Sequence, residues 1–192
     1  MVLDKVRHRI DPILDAVARH VRFSPNAMSF TAFALAFVAL FFYARAMLLP
    51  AAAAVLLNGV FDGLDGSVAR AQGKASKRGD MLDHVLDRYA DSVIILGVAF
   101  NCNFYLAFFP VVTVLIVSYL GVEAHALSGK RDYGGLLGRA DRVVLLTIFS
   151  AIQPLFVIGP LTPLDMLMIY FILAGTITVI QRSHRLWRDL RE

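Results

Sequence analysis

The chain has 192 residues, 58% of them hydrophobic, yet it carries 19 lysines and arginines against 15 acidic residues, a net charge of +4. A mean hydropathy of +0.65 alongside so many charges excludes an ordinary soluble domain and describes a small polytopic membrane protein. The single cysteine, Cys102, excludes a disulfide framework and a cysteine-based zinc site.

The first 22 residues are basic and amphipathic, with no apolar core of signal-peptide type. Leu3, Val6, Ile10, Ile13, Leu14, Val17 and Val21 recur at three- and four-residue steps. This spacing predicts an interfacial helix over 1–22, lying along the cytoplasmic membrane face or against the bundle. Ser24-Pro25-Asn26 breaks it. Six apolar stretches follow at about 27–48, 50–70, 80–102, 104–128, 142–159 and 162–182, each near the ~20 residues a spanning helix needs. Pro50, Pro160 and Pro163 mark turns between them. The expected fold is therefore an all-α membrane protein, one domain over 1–192. Six transmembrane helices fill 27–182, preceded by the amphipathic interfacial helix.

Charge placement sets the orientation. All basic residues except Arg45 and Arg88 fall in the N-terminal segment, the second loop, the fourth loop or the C-terminus. These are alternate loops, so both termini are expected in the cytoplasm. The basic balance is then a topology signal and an attraction to anionic headgroups. Nucleic acid is not an expected partner, because no soluble basic domain exists to present these residues.

Four aspartates interrupt the second and third apolar stretches: Asp62 and Asp65, then Asp83 and Asp87. An ionised carboxylate in a bilayer costs a few kcal/mol or more unless paired, hydrated or metal-bound. Asp62 and Asp65 are spaced i, i+3 and Asp83 and Asp87 i, i+4, so each pair shares a helix face. A short loop predicts antiparallel neighbouring helices with the pairs at matching depth. Asp62 would lie ~12 Å from the cytoplasmic helix end, giving a shallow pocket that faces the cytoplasm. Gly66 and Ala69 leave the adjoining surface without bulk, Arg70 can pair with phosphate, and Gly79 opens the next helix. Carboxylates with divalent cations, a gap and an arginine together suggest a nucleotide diphosphate ligand.

The pattern Asp62-x-x-Asp65-Gly66-x-x-Ala69-Arg70, eight residues, Gly79-x-x-x-Asp83-x-x-x-Asp87 resembles, at all eight fixed positions, the signature of the CDP-alcohol phosphotransferase family. The resemblance implies transfer of a phosphatidyl-type group, diacyl or archaeal diether, from a CDP-lipid donor to a hydroxyl, with release of CMP. It implies two Mg²⁺ or Mn²⁺ ions held by Asp62, Asp65, Asp83 and Asp87, mainly by the first three, with Asp87 the least tightly metal-bound and the base for the acceptor hydroxyl. Asp62, Asp65, Gly66, Ala69, Arg70 and Gly79 would bind CDP. It also implies a homodimer in the cell membrane, multi-pass, with its active site facing the cytoplasm.

For the acceptor, Arg139 and Arg142 sit i, i+3 at the start of the fifth stretch and can clamp a phosphate. Arg139-Ala140-Asp141-Arg142 resembles the Arg-x-x-Arg element of phosphatidylinositol-phosphate synthases and their archaeal ether-lipid counterparts. A phosphorylated polyol, inositol phosphate, is the expected acceptor. The segment Tyr119 to Ala124 lacks the basic residues expected in that subgroup, so glycerol phosphate stands as the alternative. Serine would leave the arginine pair without a role, and topology alone is the plain reading of those arginines. A cation transporter is the competing class, but it predicts acids near the midplane of several spans. A membrane scaffold has no use for the cluster. His84 is expected to face differently from the motif aspartates, Asp80 and Asp91 to extend their stripe, and Glu123 and His125 to touch the acceptor or be interfacial.

Overall fold

The computed structural model describes residues 12, 14–129, 132, 134–156 and 160–190. These form six long helices: α1 (Pro25–Ala44), α2 (Leu48–Ala71), α3 (Lys77–Val98), α4 (Phe104–Ser128), α5 (Arg139–Ile152) and α6 (Pro163–Asp189). A single 3₁₀ turn, Gln153–Leu155, prolongs α5. The all-helical expectation and the six segments agree with the structure, but several ends move.

The helix starts follow local chemistry. Ser24 caps α1, its hydroxyl accepting the Ala27 N–H at 3.2 Å, with Pro25 at the first helical position, where a missing N–H has no cost. Ser76 caps α3 through the Gly79 N–H, Asn103 caps α4 through Tyr105, and Thr162 caps α6 through Asp165. Pro50 does not mark a turn. It lies inside the first turn of α2, a tolerated site, and the chain instead reverses at 45–47, where Ala46 takes φ 54°. The fifth segment is also shorter than expected. Helix α5 has 14 residues, about 21 Å at 1.5 Å per residue, less than a ~30 Å hydrocarbon core. Helix α6 runs past 182 to Asp189.

By length and composition, α1, α2, α4 and α6 can cross a membrane. Their outward faces are apolar, with Phe30, Phe37, Phe41, Leu56, Phe108, Phe109, Leu173 and Ile180 all exposed, as expected of surfaces that meet lipid. Helices α3 and α5 carry more charge.

Small residues bring the helices close. Helix α1 buries Ser29, Ala32, Ala36, Ala39 and Tyr43 along one stripe, and α2 buries Ala51, Ala52, Ala54, Val55 and Asn58. The Asn58 side-chain N–H donates to the Ala32 carbonyl at 2.7 Å, tying the stripes together in the manner of membrane helix pairs. At Gly97 of α3 an added Cβ would lie 3.0 Å from the Tyr43 ring and 3.2 Å from the Leu40 Cα of α1. Helix α1 thus packs along both α2 and α3, while α2 also contacts α5, and α4 contacts α3 and α6. The expectation that α2 and α3 are neighbours holds at their aspartates, which converge, while backbone packing joins each of them mainly to α1. They meet chiefly through their aspartate side chains, held at a distance by α1.

Of the predicted N-terminal helix, residues 1–11 and Ile13 lie outside the described residues. Residues 14–18 are helical, and Leu14, Ala18 and Val21 pack with Met28, Leu64 and Val68. The described part therefore rests on the bundle. The Gln72 side-chain N–H donates to the Val21 and Phe23 carbonyls, fixing this segment beside the C-terminal end of α2. Lys130 and Arg131 of the fourth loop also lie outside the described residues.

Candidate active site

Asp62, Asp65 and Asp83 converge. Each offers a carboxylate oxygen, and the three atoms lie within 4.8 Å of one another. The i, i+3 spacing on α2 brings the first two together, and α3 supplies the third from across the gap. A hydroxyl from a third helix completes the arrangement: Ser29 Oγ of α1 donates to Asp65 Oδ2 at 2.7 Å, in a buried contact. Asp83 Oδ1 is buried without a hydrogen-bond donor among the described residues. Converging carboxylates, one of them with an unpaired oxygen, are hard oxygen ligands that suit a divalent cation such as Mg²⁺ or Mn²⁺, so the residues fit a metal.

Asp87 lies one turn beyond Asp83 and is buried. It is not part of that three-carboxylate group. It pairs with Arg88 Nη1 at 3.0 Å and with Arg139. Arg139 reaches from the first residue of α5 into the same space, its Nη1 2.6 Å from Asp62 Oδ1 and its Nε 3.7 Å from Asp91 Oδ1. One guanidinium thus serves carboxylates from both motif helices. Arg142 meets the other oxygen of Asp91: its side chain is 4% exposed and pairs with Asp91 Oδ2 at 2.5 Å. The two arginines expected to clamp one phosphate therefore have different surroundings.

The remaining motif positions form an open flank. Gly66 is exposed, and a Cβ there would meet only Arg70 Nη1 at 3.6 Å. The Arg70 guanidinium donates to Ser67 at 2.9 Å and to Asp15 at 3.3 Å. Ala69 and Gly79 are partly exposed. The Gly79 N–H is held by Ser76, and a Cβ there would stand 3.7 Å from Asn26. His84 stands close to the acids on its own helix. Its ring lies 3.3 Å from Asp80, and its ligand atom falls within 4.8 Å of those of Asp83 and Asp87.

Helix α6 supports α5 from behind. Arg182, buried, donates from Nε to the Gly134 carbonyl at 2.9 Å and from Nη1 to the Val117 carbonyl at 2.6 Å. Arg185 Nε donates to Asp132 at 2.9 Å. Thr178 Oγ1 accepts the Leu136 and Leu137 N–H groups, and Gly135, at φ 137°, faces Thr178 where a Cβ would clash. Asp141 then caps α5 by accepting the Gly138 N–H at 3.0 Å. The loop that presents Arg139 is thus fixed by its neighbours.

Sequence reasoning missed Ser29, Asp141 and the work of Asp91. Ser29 had a signal, because it opens the small-residue stripe Ser29, Ala32, Ala36, Ala39 on α1. A polar member of a buried stripe requires a partner.

Acids gathered at one end of a membrane-type bundle, with small residues on one side and the half-buried Arg139 on the other, suit metal-assisted chemistry on a phosphate-bearing ligand. The chain belongs to the CDP-alcohol phosphatidyltransferase family, whose model matches residues 22–181. It is therefore a phospholipid-synthesising transferase of phosphate-containing groups. An archaetidylinositol phosphate synthase of Methanothermobacter thermautotrophicus is 30% identical, over 97% of this chain and 92% of the relative. A phosphatidylinositol phosphate synthase of Mycobacteroides abscessus is 30% identical, over 91% of this chain and 81% of its own length. Among solved structures, the Mycobacterium tuberculosis phosphatidylinositol phosphate synthase with CDP-DAG bound superposes with a TM-score of 0.76. Its identity is 25%, covering 92% of this chain and 94% of that one. The same protein in complex with manganese and citrate gives 0.77 at 26% identity, covering 91% of this chain and 88% of that one.

Proposed function

We propose that this protein transfers a phosphatidyl-type group from a CDP-linked lipid to a hydroxyl of inositol phosphate, releasing CMP. It does so as a homodimer at the cytoplasmic face of the cell membrane, with α3 and α5 crossing beside the four apolar helices. The observation that carries the reading is the convergence of Asp62, Asp65 and Asp83 with Arg139 at their edge. The resemblance to two inositol phosphate lipid synthases over nine-tenths of the chain supports the choice of acceptor.

Asp62, Asp65 and Asp83, flanked by Asp87, would hold two Mg²⁺ or Mn²⁺ ions. When bound, these neutralise the donor diphosphate and stabilise the CMP leaving group. Gly66, Ala69 and Gly79 let the donor approach the backbone, and Arg70 exchanges Asp15 for a phosphate oxygen. Arg139 exchanges its carboxylate partners for the acceptor phosphate. That exchange leaves Asp87 free to take the proton from the acceptor hydroxyl. The acceptor oxygen then bonds to the lipid-side phosphorus as the bond to the CMP oxygen breaks.

The test is CMP release by purified protein from a CDP-lipid against a panel of acceptors. Inositol phosphate should support release, with glycerol phosphate, inositol, glycerol and serine poor by comparison. A preference for serine, or for glycerol phosphate over inositol phosphate, would refute the acceptor assignment.

A further inference from the structure

We infer that Asp91 is a positioning residue for the acceptor site, docking the start of α5 so that Arg139 faces the reacting groups. The inference deepens the proposed function and rests on its assignment of Arg139 to the acceptor phosphate. Asp91 lies one helical turn beyond Asp87 on α3 and continues the same face. It belongs to neither group of side chains able to hold a metal, so its carboxylate serves other partners. Both of those partners are on α5. Oδ2 binds Arg142 Nη2 at 2.5 Å, and Oδ1 stands 3.7 Å from Arg139 Nε.

Burial gives the pair its weight. Asp91 is 8% exposed and Arg142 3%, so neither charge is hydrated, and each compensates the other. Asp87 and Asp91, i, i+4 on α3, thus face Arg139 and Arg142, i, i+3 on α5. The inner pair is closed and structural. The outer pair is accessible, since Arg139 is 24% exposed, and it can trade carboxylate for phosphate. A lone arginine at the end of a 14-residue helix has many rotamers. With Asp91 against its Nε side, Arg139 is turned so that its Nη1 meets Asp62 and Asp87.

Asp91→Asn keeps the shape and removes the charge. Its expected signature is a rise of tenfold or more in the acceptor KM, with the CDP-lipid KM and Mn²⁺ affinity within threefold of wild type. Asp91→Glu should recover part of the acceptor KM. In an Arg139→Ala background, Asp91→Asn should add nothing further, because the residue acts through Arg139. Should Asp91→Asn fail to fold, the double variant D91N/R142Q removes both buried charges and carries the same measurements. Equal losses in both KM values, kcat and thermal stability would overturn the inference and leave a purely structural pair. An additive effect on top of Arg139→Ala would overturn it as well. Failure of the underlying assignment looks different: Arg139→Ala would itself leave the acceptor KM unchanged.

Discussion

Removing one hydroxyl from α1 should weaken cation binding between α2 and α3. Ser29 is 7% exposed, and its Oγ lies 2.7 Å from Asp65 Oδ2. A hydrogen bond to a charged group contributes about 1.5–3 kcal/mol. In Ser29→Ala the carboxylate loses both this stabilisation and its orientation, while the helix gains a better former and keeps the stripe's small volume. Losing a partner that orients a metal ligand typically costs about ten- to hundredfold in metal affinity, and that is the loss expected for Mn²⁺ here. Protein purified in detergent and stripped with chelator would be titrated with Mn²⁺, and free ion followed by electron paramagnetic resonance. Ser29→Thr, which keeps the hydroxyl, should lose much less. Unchanged Mn²⁺ affinity in Ser29→Ala would refute the claim that α1 helps shape the site.

Three further outcomes are expected. Asp87→Asn should bind CDP-lipid normally yet release CMP about 10²–10⁴ times more slowly, and near-wild-type turnover would remove it as the base. Gly97→Val should lower the midpoint of thermal unfolding in detergent by an amount equivalent to about 1–3 kcal/mol of overpacking, because the added carbons meet Tyr43 and the α1 backbone. Burial, with a smaller contribution from the Asp165 carboxylate, pushes the Cys102 thiol up to about 12. At pH 8 native Cys102 should therefore react with a maleimide roughly fiftyfold more slowly than an ordinary thiol, even allowing for greater intrinsic nucleophilicity. Because this acidity is suppressed only in the folded chain, raising the pH from about 8.5 towards 12 should also favour unfolding.

Spacing within a helix was readable from the sequence, and contacts across helices much less so. The i, i+3 and i, i+4 rules place Asp62, Asp65, Asp83 and Asp87 on inward faces, and the structure has Asp62, Asp65 and Asp83 meeting. Those rules say nothing about which helix lies between. The short loop pointed to α2 against α3, whereas the alanine stripe of α1 is what both helices pack on. Arg142 looked like a partner for Arg139 because both sit on one turn. Its burial depends on Asp91, 51 residues earlier, a pairing no local pattern encodes. Angular position alone puts His84 off the aspartate stripe, but an imidazole beside that face swings towards Asp80 and Asp83. Pro50 misled for a local reason, since a proline at a helix start and a proline in a turn read alike.

Among the described residues, the hydrogen bonds Arg182 makes run to its neighbours' carbonyls, at Gly134 and Val117. Such a hold reads the path of the backbone and is indifferent to most of the letters along it. The segment leading into α5 is thus free to diversify wherever its conformation survives, at exposed Leu136 for example, while Gly135 and Arg182 are not. Lysine at 182 would reach with a single point charge and lose the two-pronged grasp. Across descendants of this sequence, variation should collect on the outward letters of that loop while its trace through space stays constant. A lineage could in this way alter what surrounds the acceptor without disturbing where the arginine stands.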